Sequence, residues 1–219
     1  MKKVAISLLG TVLDNRGSRM KRWDKWRPTV SLCQHETLHI DRVELVFQSE
    51  FQSLAEQVAT DIREVSPQTE VCFNTVVMEN PWDFETVYGA LHDFARHYPF
   101  DRENEEYLVH ITTGTHVAQI CLYLLNEAHY LPGKLIQTSP PRRDHEEAGQ
   151  YQLIDLDPSK YAQIASRLAH AHQERAVSLK AGIETRTADF PRMIAYPEKR
   201  SIHSIHPLLL TRPTRPGHN

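Results

Sequence analysis

Two widely separated stretches place small hydroxyl residues around a glycine: Ser7-Leu8-Leu9-Gly10-Thr11 and Thr112-Thr113-Gly114-Thr115-His116. Glycine lets a backbone approach an anion closely, and hydroxyls beside a helix start add donors to the helix's own free N–H groups. That is phosphate-binding chemistry. It singles out Ser7, Leu9, Gly10 and Thr11 in the first stretch, and Thr112, Thr113, Gly114, Thr115, His116 and Gln119 in and after the second. A turn of this kind is equally what a plain helix cap looks like. Neither stretch is G-x-G-x-x-G, and no acid is clearly placed roughly twenty residues on for a ribose hydroxyl, which disfavours a dinucleotide oxidoreductase.

A second chemistry is concentrated in NRGSRMKRWDKWRPT, from Asn15 to Thr29. Arg16, Arg19, Lys21, Arg22, Lys25 and Arg27 stand there against one acid, Asp24, with Trp23 and Trp26 interleaved. Cations neutralise phosphates and indole faces stack on bases, so the mixture suits a single-stranded or terminal RNA ligand. The alternative is a solvated loop pinned to the body by two buried tryptophans. Other reactive side chains are ordinary in context. His110 lies inside an apolar run and reads as core, Cys33 as a small buried hydrophobe. His203 and His206 share a Pro/Arg-rich tail ill suited to a metal. No catalytic residue, metal or cofactor is expected.

The elements that must position these residues alternate. Lys3–Leu9, Asp41–Gln48, Val71–Met78, Tyr107–Thr112, Lys134–Thr138 and Gln152–Leu156 read as strands from short apolar or β-branched runs. Phe51–Val65 has apolar residues at steps of three and four and reads as an amphipathic helix. Asn80-Pro81 offers a cap and a first-turn proline for a helix to about Tyr98, with Trp82 inward and Asn80 and Trp82 as further candidate ligand contacts. Thr115 to about His129 and Ser159 to about Gly182 complete the helices. This pattern predicts an α/β domain, a Rossmann-like, mainly parallel sheet flanked by helices, with ligands at the carboxyl ends of its strands.

With 219 residues, 40% of them hydrophobic and 24% charged, the chain is long enough for one large domain, and wholesale disorder is excluded. A net charge of −3 means that any nucleic-acid surface is a local patch. No apolar run approaches the ~20 residues of a membrane span, and Met1-Lys2-Lys3 leads into too short an apolar stretch for a secretory signal. Three scattered cysteines fit a reducing cytoplasm. A cytoplasmic protein without a membrane partner is therefore expected.

The segments GTVLD (10–14), WDKWRPT, NPWDFETVY (80–88), LHDFAR (91–96), YLVHITTGTHVAQIC (107–121), LIQTSPPR (135–142) and LIDLD (153–157) resemble the amino-terminal region of RtcR-type regulators. These are sigma-54-dependent activators of RNA-repair genes, and the resemblance runs to about Met193. It implies a CARF domain, a dimeric Rossmann-fold sensor whose ligand lies over the ends of the first and fourth strands, and so over the two hydroxyl-glycine turns. The implied ligand is an RNA terminus such as a 2′,3′-cyclic phosphate, or a cyclic oligonucleotide. Alternatives are a metal-independent ring nuclease cleaving cyclic oligoadenylate, and an inert remnant that pairs with an intact regulator. The expected layout is a sensor over 1–158, a helical linker over 159–195 and a degenerate, disordered tail over 196–219. Such regulators continue into an AAA+ ATPase domain. Here Arg212, Arg215, Pro216 and His218 stand where a phosphate loop needs glycines and a lysine, so ATP hydrolysis is expected to be absent.

Overall fold

Along each strand successive side chains point to opposite faces, and here that alternation divides the core in two. The computed structural model describes residues 1–141 and 148–155, which fall within one compact unit, Met1–Tyr161. Six strands form one sheet: β1 (Lys2–Leu8), β2 (Arg42–Phe47), β3 (Glu70–Thr75), β4 (Glu105–His110), β5 (Lys134–Ser139) and β6 (Gln150–Ile154). Val4, Ile6 and Leu8 of β1 and Tyr107 and Val109 of β4 face α3 (Phe84–His97) and α4 (His116–Glu127). Ala5 and Leu9, with Leu45 and Leu108, face α1 (Pro28–Leu32) and α2 (Gln52–Val65). Because both faces are covered, the central strands are near-continuous apolar runs, and that is why they are legible in the sequence.

The strand order is β3-β2-β1-β4-β5-β6, parallel throughout except for the antiparallel β5–β6 pair. The chain winds outward from β1 to β3, then crosses back to lay β4 on the other side of β1. The topological switch point therefore lies between the carboxyl ends of β1 and β4, where open sheets of this kind form a crevice. At the opposite edge Arg42 ties β2 to β4 over β1. Its Nη1 donates to Glu105 at 2.6 Å, its Nε to the buried Glu44 at 2.7 Å, and Tyr98 donates its hydroxyl to Glu44 at 2.6 Å.

Some sequence expectations shift. The helix expected from Asn80-Pro81 starts at Phe84, with Asp83 as its cap, accepting from Thr86 N at 2.9 Å. Asn80 is drawn into a local turn instead, its Oδ1 accepting from Trp82 N at 3.0 Å, so residues 78–83 form a non-helical strap. Trp82, expected inward, is 67% exposed. The strand expected over Val71–Met78 ends at Thr75. The short α1 went unread because five residues are too few to show a period. Among the described residues no helix is long and apolar enough to cross a membrane. The expected helix over 159–182, linker over 159–195 and tail over 196–219 lie outside the described residues.

Candidate ligand site at the β1–β4 switch point

Beyond β1, Leu9 N still pairs with Val46 O at 2.9 Å, and then the chain turns. Asp14 N donates to Gly10 O at 2.8 Å, while the Asp14 carboxylate accepts from Gly10 N at 2.8 Å, so the turn is closed from both sides. The same carboxylate takes Thr29 N at 3.0 Å and the Thr29 hydroxyl at 2.7 Å, which docks α1 against the turn. Gly10 is needed for space: a Cβ there would lie 2.7 Å from Asp14 Oδ2 and 3.0 Å from Thr113 Cγ2. Burial pushes the Asp14 carboxyl above its ordinary range, against the pull of its Thr29 and Gly10 donors.

The second turn locks onto the first. Thr113, 1% exposed, donates its hydroxyl to Leu8 O at 2.5 Å. Gly114 follows with φ +89°, a left-handed conformation that favours glycine, and a Cβ there would meet Leu8 Cδ1 at 3.0 Å. Thr115 is the cap of α4: its hydroxyl oxygen accepts from Ala118 N at 3.1 Å and donates to Pro81 O at 2.9 Å. One hydroxyl thus fixes the helix start and the strap over it. The N–H groups of His116 and Val117 in the first turn have no acceptor within the helix, and they mark its positive end.

Between these turns, the end of β2 and the strap lies a cavity of about 420 Å³. Leu9, Gly10, Thr11, Trp82, Thr113, Gly114 and Thr115 line it, so seven of the sequence-derived candidates converge there. Phe51, Met78 and Val12 add apolar wall, and Glu50 and Glu79 add carboxylates; among the described residues no lysine, arginine or histidine lines it.

Other candidates are placed elsewhere. Ser7, expected at the ligand, is fully buried beneath α1, because its position on β1 points to that face. It accompanies His110, whose Nδ1 lies 2.9 Å from Ser7 Oγ and whose Nε2 lies 2.9 Å from Thr138 Oγ1. Thr138 donates onward to Thr112 Oγ1 at 3.1 Å, which engages Thr112 away from the cavity. That direction of donation makes Ser7 the donor to Nδ1 and assigns His110 the neutral Nε2–H tautomer. Desolvation by burial lowers the His110 pKa to about 3. Asn80 and His116 are exposed beside the cavity without lining it, and Gln119 Nε2 reaches Thr112 O at 3.4 Å.

The basic stretch divides. Arg22 donates to Asp61 from Nε and Nη2 at 2.9–3.1 Å, and Arg27, 3% exposed, donates to the same carboxylate at 2.5 Å. The Trp23 ring lies beneath both guanidinium groups, 5.3 and 5.2 Å from its centroid, and packs on the core under α2. Trp26 donates its indole N–H to Ser31 Oγ at 3.0 Å, and Ser31 donates to Ala148 O. Arg22, Trp23, Trp26 and Arg27 are therefore anchors, because the buried Asp61 carboxylate requires cations beside it. Lys25 remains exposed. Asp14, Thr29 and Asp61, which organise all of this, were not singled out in the sequence. An acid four residues after the turn glycine was the one available signal for Asp14. Cys33 is buried, its thiol pushed up to about 12 by desolvation. Among the described residues no cluster of metal-ligating side chains occurs.

A family profile described as "Regulator of RNA terminal phosphate cyclase" matches residues 1–182. The chain is 53% identical over 218 residues to the transcriptional regulatory protein RtcR of Escherichia coli K12, covering 99% of this chain and 41% of that protein. Among solved structures, Enterococcus italicus Csm6 bound to cyclic hexa-2′-fluoro-hexa-dAMP superposes with a TM-score of 0.52 at 19% identity, over 83% of this chain and 49% of that one. The last likeness is one of fold, the Rossmann-like α/β architecture of CARF proteins. By its sequence over residues 1–182, this chain belongs to the RtcR family, the regulators of RNA terminal phosphate cyclase.

Proposed function

We propose that residues 1–158 are the ligand-sensing domain of an RtcR-type regulator of RNA-repair genes. The cavity at the β1–β4 switch point receives an RNA terminus bearing a 2′,3′-cyclic phosphate. The observation that carries this is the Thr113–Leu8 hydrogen bond, which holds both glycine turns and the free N–H groups of α4 at one crevice. Phosphate oxygens sit against those N–H groups, and the apolar wall with Trp82 accommodates the attached nucleoside. The family's described business, RNA terminal phosphate cyclase, concerns the same chemical group. A cyclic oligonucleotide is the competing ligand, since the Csm6 structure holds one. Among the described residues the lining holds no histidine, lysine or arginine to protonate a leaving group, and sensing is the reading taken here over cleavage. A crevice open on one side suits a twofold dimer in the cytoplasm, with two copies facing one ligand; an RtcR-like paralogue is the other partner of this kind.

The test is calorimetric titration with short RNAs ending in 2′,3′-cyclic phosphate, 3′-phosphate or 3′-hydroxyl, and with cyclic oligoadenylates, alongside light scattering. The expected result is tightest binding of the cyclic-phosphate end to a dimer, with the RNA recovered intact. Tighter binding of a cyclic oligoadenylate, or its cleavage, would replace this reading.

A further inference from the structure

The loop after β1 is fixed far more firmly than a connector needs to be. Gly17 has φ +77°, and a Cβ there would lie 2.7 Å from Arg22 Cα and from Lys21 O. Arg19 adopts φ +51°, a left-handed conformation uncommon outside glycine, and Arg22 Nη1 donates to Arg19 O at 2.5 Å. Arg22 and Arg27 are clamped on Asp61. Of these residues only Arg19 is a backbone outlier, and a non-glycine residue held in that region of an exposed loop points to function. What the fixed loop turns outward is Arg16, Arg19, Lys21 and Lys25, all exposed, with Asp24 the only exposed acid among them. Both tryptophans are half-buried and tied inward, so the loop presents charge and not stacking surface.

We propose that Arg16, Arg19, Lys21 and Lys25 form a preset strip for the phosphodiester backbone of single-stranded RNA. It is separate from the cavity and engages the strand leading to the terminus bound there. The assignment rests on the ligand reading above and extends it. Among the described residues the cavity lining has two carboxylates and no cation, so these residues offer a polyanion no long-range attraction. The strip supplies that attraction, and it begins where the cavity wall formed by Gly10–Leu13 leaves off. Fixing the cations beforehand lowers the ordering cost of binding.

Four probes test this: adenosine 2′,3′-cyclic phosphate, a single-stranded RNA of about ten nucleotides with the same end, that RNA with a 3′-hydroxyl, and duplex DNA of the same length. The wild-type chain should bind the oligonucleotide at least tenfold more tightly than the mononucleotide at low salt. The combined Arg16→Gln, Arg19→Asn, Lys21→Gln and Lys25→Gln variant should erase that gain and leave mononucleotide binding unchanged. It should also flatten the log–log salt slope by roughly three units, since each cation on a single strand contributes about 0.7. Lys21→Glu with Lys25→Glu, which leaves the strained positions alone, should act in the same direction. If the mononucleotide fails to bind while the 3′-hydroxyl RNA still depends on the four cations, the strip stands and the end-binding reading falls. If the oligonucleotide is no tighter than the mononucleotide, if the variants weaken both equally, or if duplex DNA of the same length binds as well, the strip is overturned.

Discussion

His110 is a histidine that stays uncharged throughout the physiological range. With its pKa lowered by burial from 6.5 to about 3, the unfolded chain takes up a proton between those values that the native chain refuses. The sign follows: this contribution to stability is complete above about 6.5 and is lost as pH falls through the window, by about 1.4 kcal/mol per pH unit at the steepest. Urea unfolding at pH 7.5, 6 and 5 should show that decline, and His110→Asn should show a shallower one; equal slopes would contradict the assignment. Thr115 is the complementary case of a residue with two bonds from one hydroxyl. Thr115→Val keeps its shape, should cost ~1 kcal/mol through the lost cap, and should free the strap. Loss of discrimination between cyclic-phosphate and hydroxyl ends is then expected, with Thr115→Ser retaining it. The sequence made Thr115 visible because caps are local chemistry. It hid the role of Ser7, since which face a strand residue presents depends on a neighbour, α1, that has no periodicity of its own.

The central strands were readable because burial on both faces leaves little choice but apolar residues, and α2 because one buried face imposes a period. The start of α3 was misread for a physical reason: Asn80 can cap a helix or close a turn on its own strand of chain, and only the Thr115–Pro81 bond selects the second. The two glycine turns differ in kind, and substitution should separate them. Gly114→Ala meets both the positive φ and Leu8, and should cost about 1–3 kcal/mol. Gly10→Ala has no conformational penalty of that sort but pushes on Asp14 Oδ2, so its effect should appear chiefly as displaced α1 packing and weakened ligand binding. Chemical unfolding combined with titration of the folded variants distinguishes the two.

At the scale of the molecule, parallel architecture followed from the alternation of elements, but the strand order and the antiparallel β6 did not. They depend on which edge a crossover returns to, and single-chain patterning carries no record of that. The Arg42 cluster is a long-range feature of the same kind, joining β2, β4 and Tyr98 across the edge opposite the cavity. Arg42→Met should strand Glu44 without its cation and destabilise the fold by about 3–5 kcal/mol. The fraction that remains folded should bind ligand normally, and titration below the unfolding transition measures this. Reduced affinity there would mean that the two edges are coupled.

The antiparallel β6 has a consequence for where the described chain is carried. Ser139 lies across from Gln150 and Leu135 across from Ile154, so the chain enters β6 beside the crevice and leaves it at the far edge. Asp155, the last described residue of that segment, therefore stands roughly 17 Å, the length of a strand of this size, from the crevice end of the sheet. At its crevice end the same strand is tied to the cavity wall through α1: Ser31 donates to Ala148 O just before β6, while Thr29 and the Gly10 turn share the Asp14 carboxylate, so one short helix holds the sheet's antiparallel edge and the turn after β1 together.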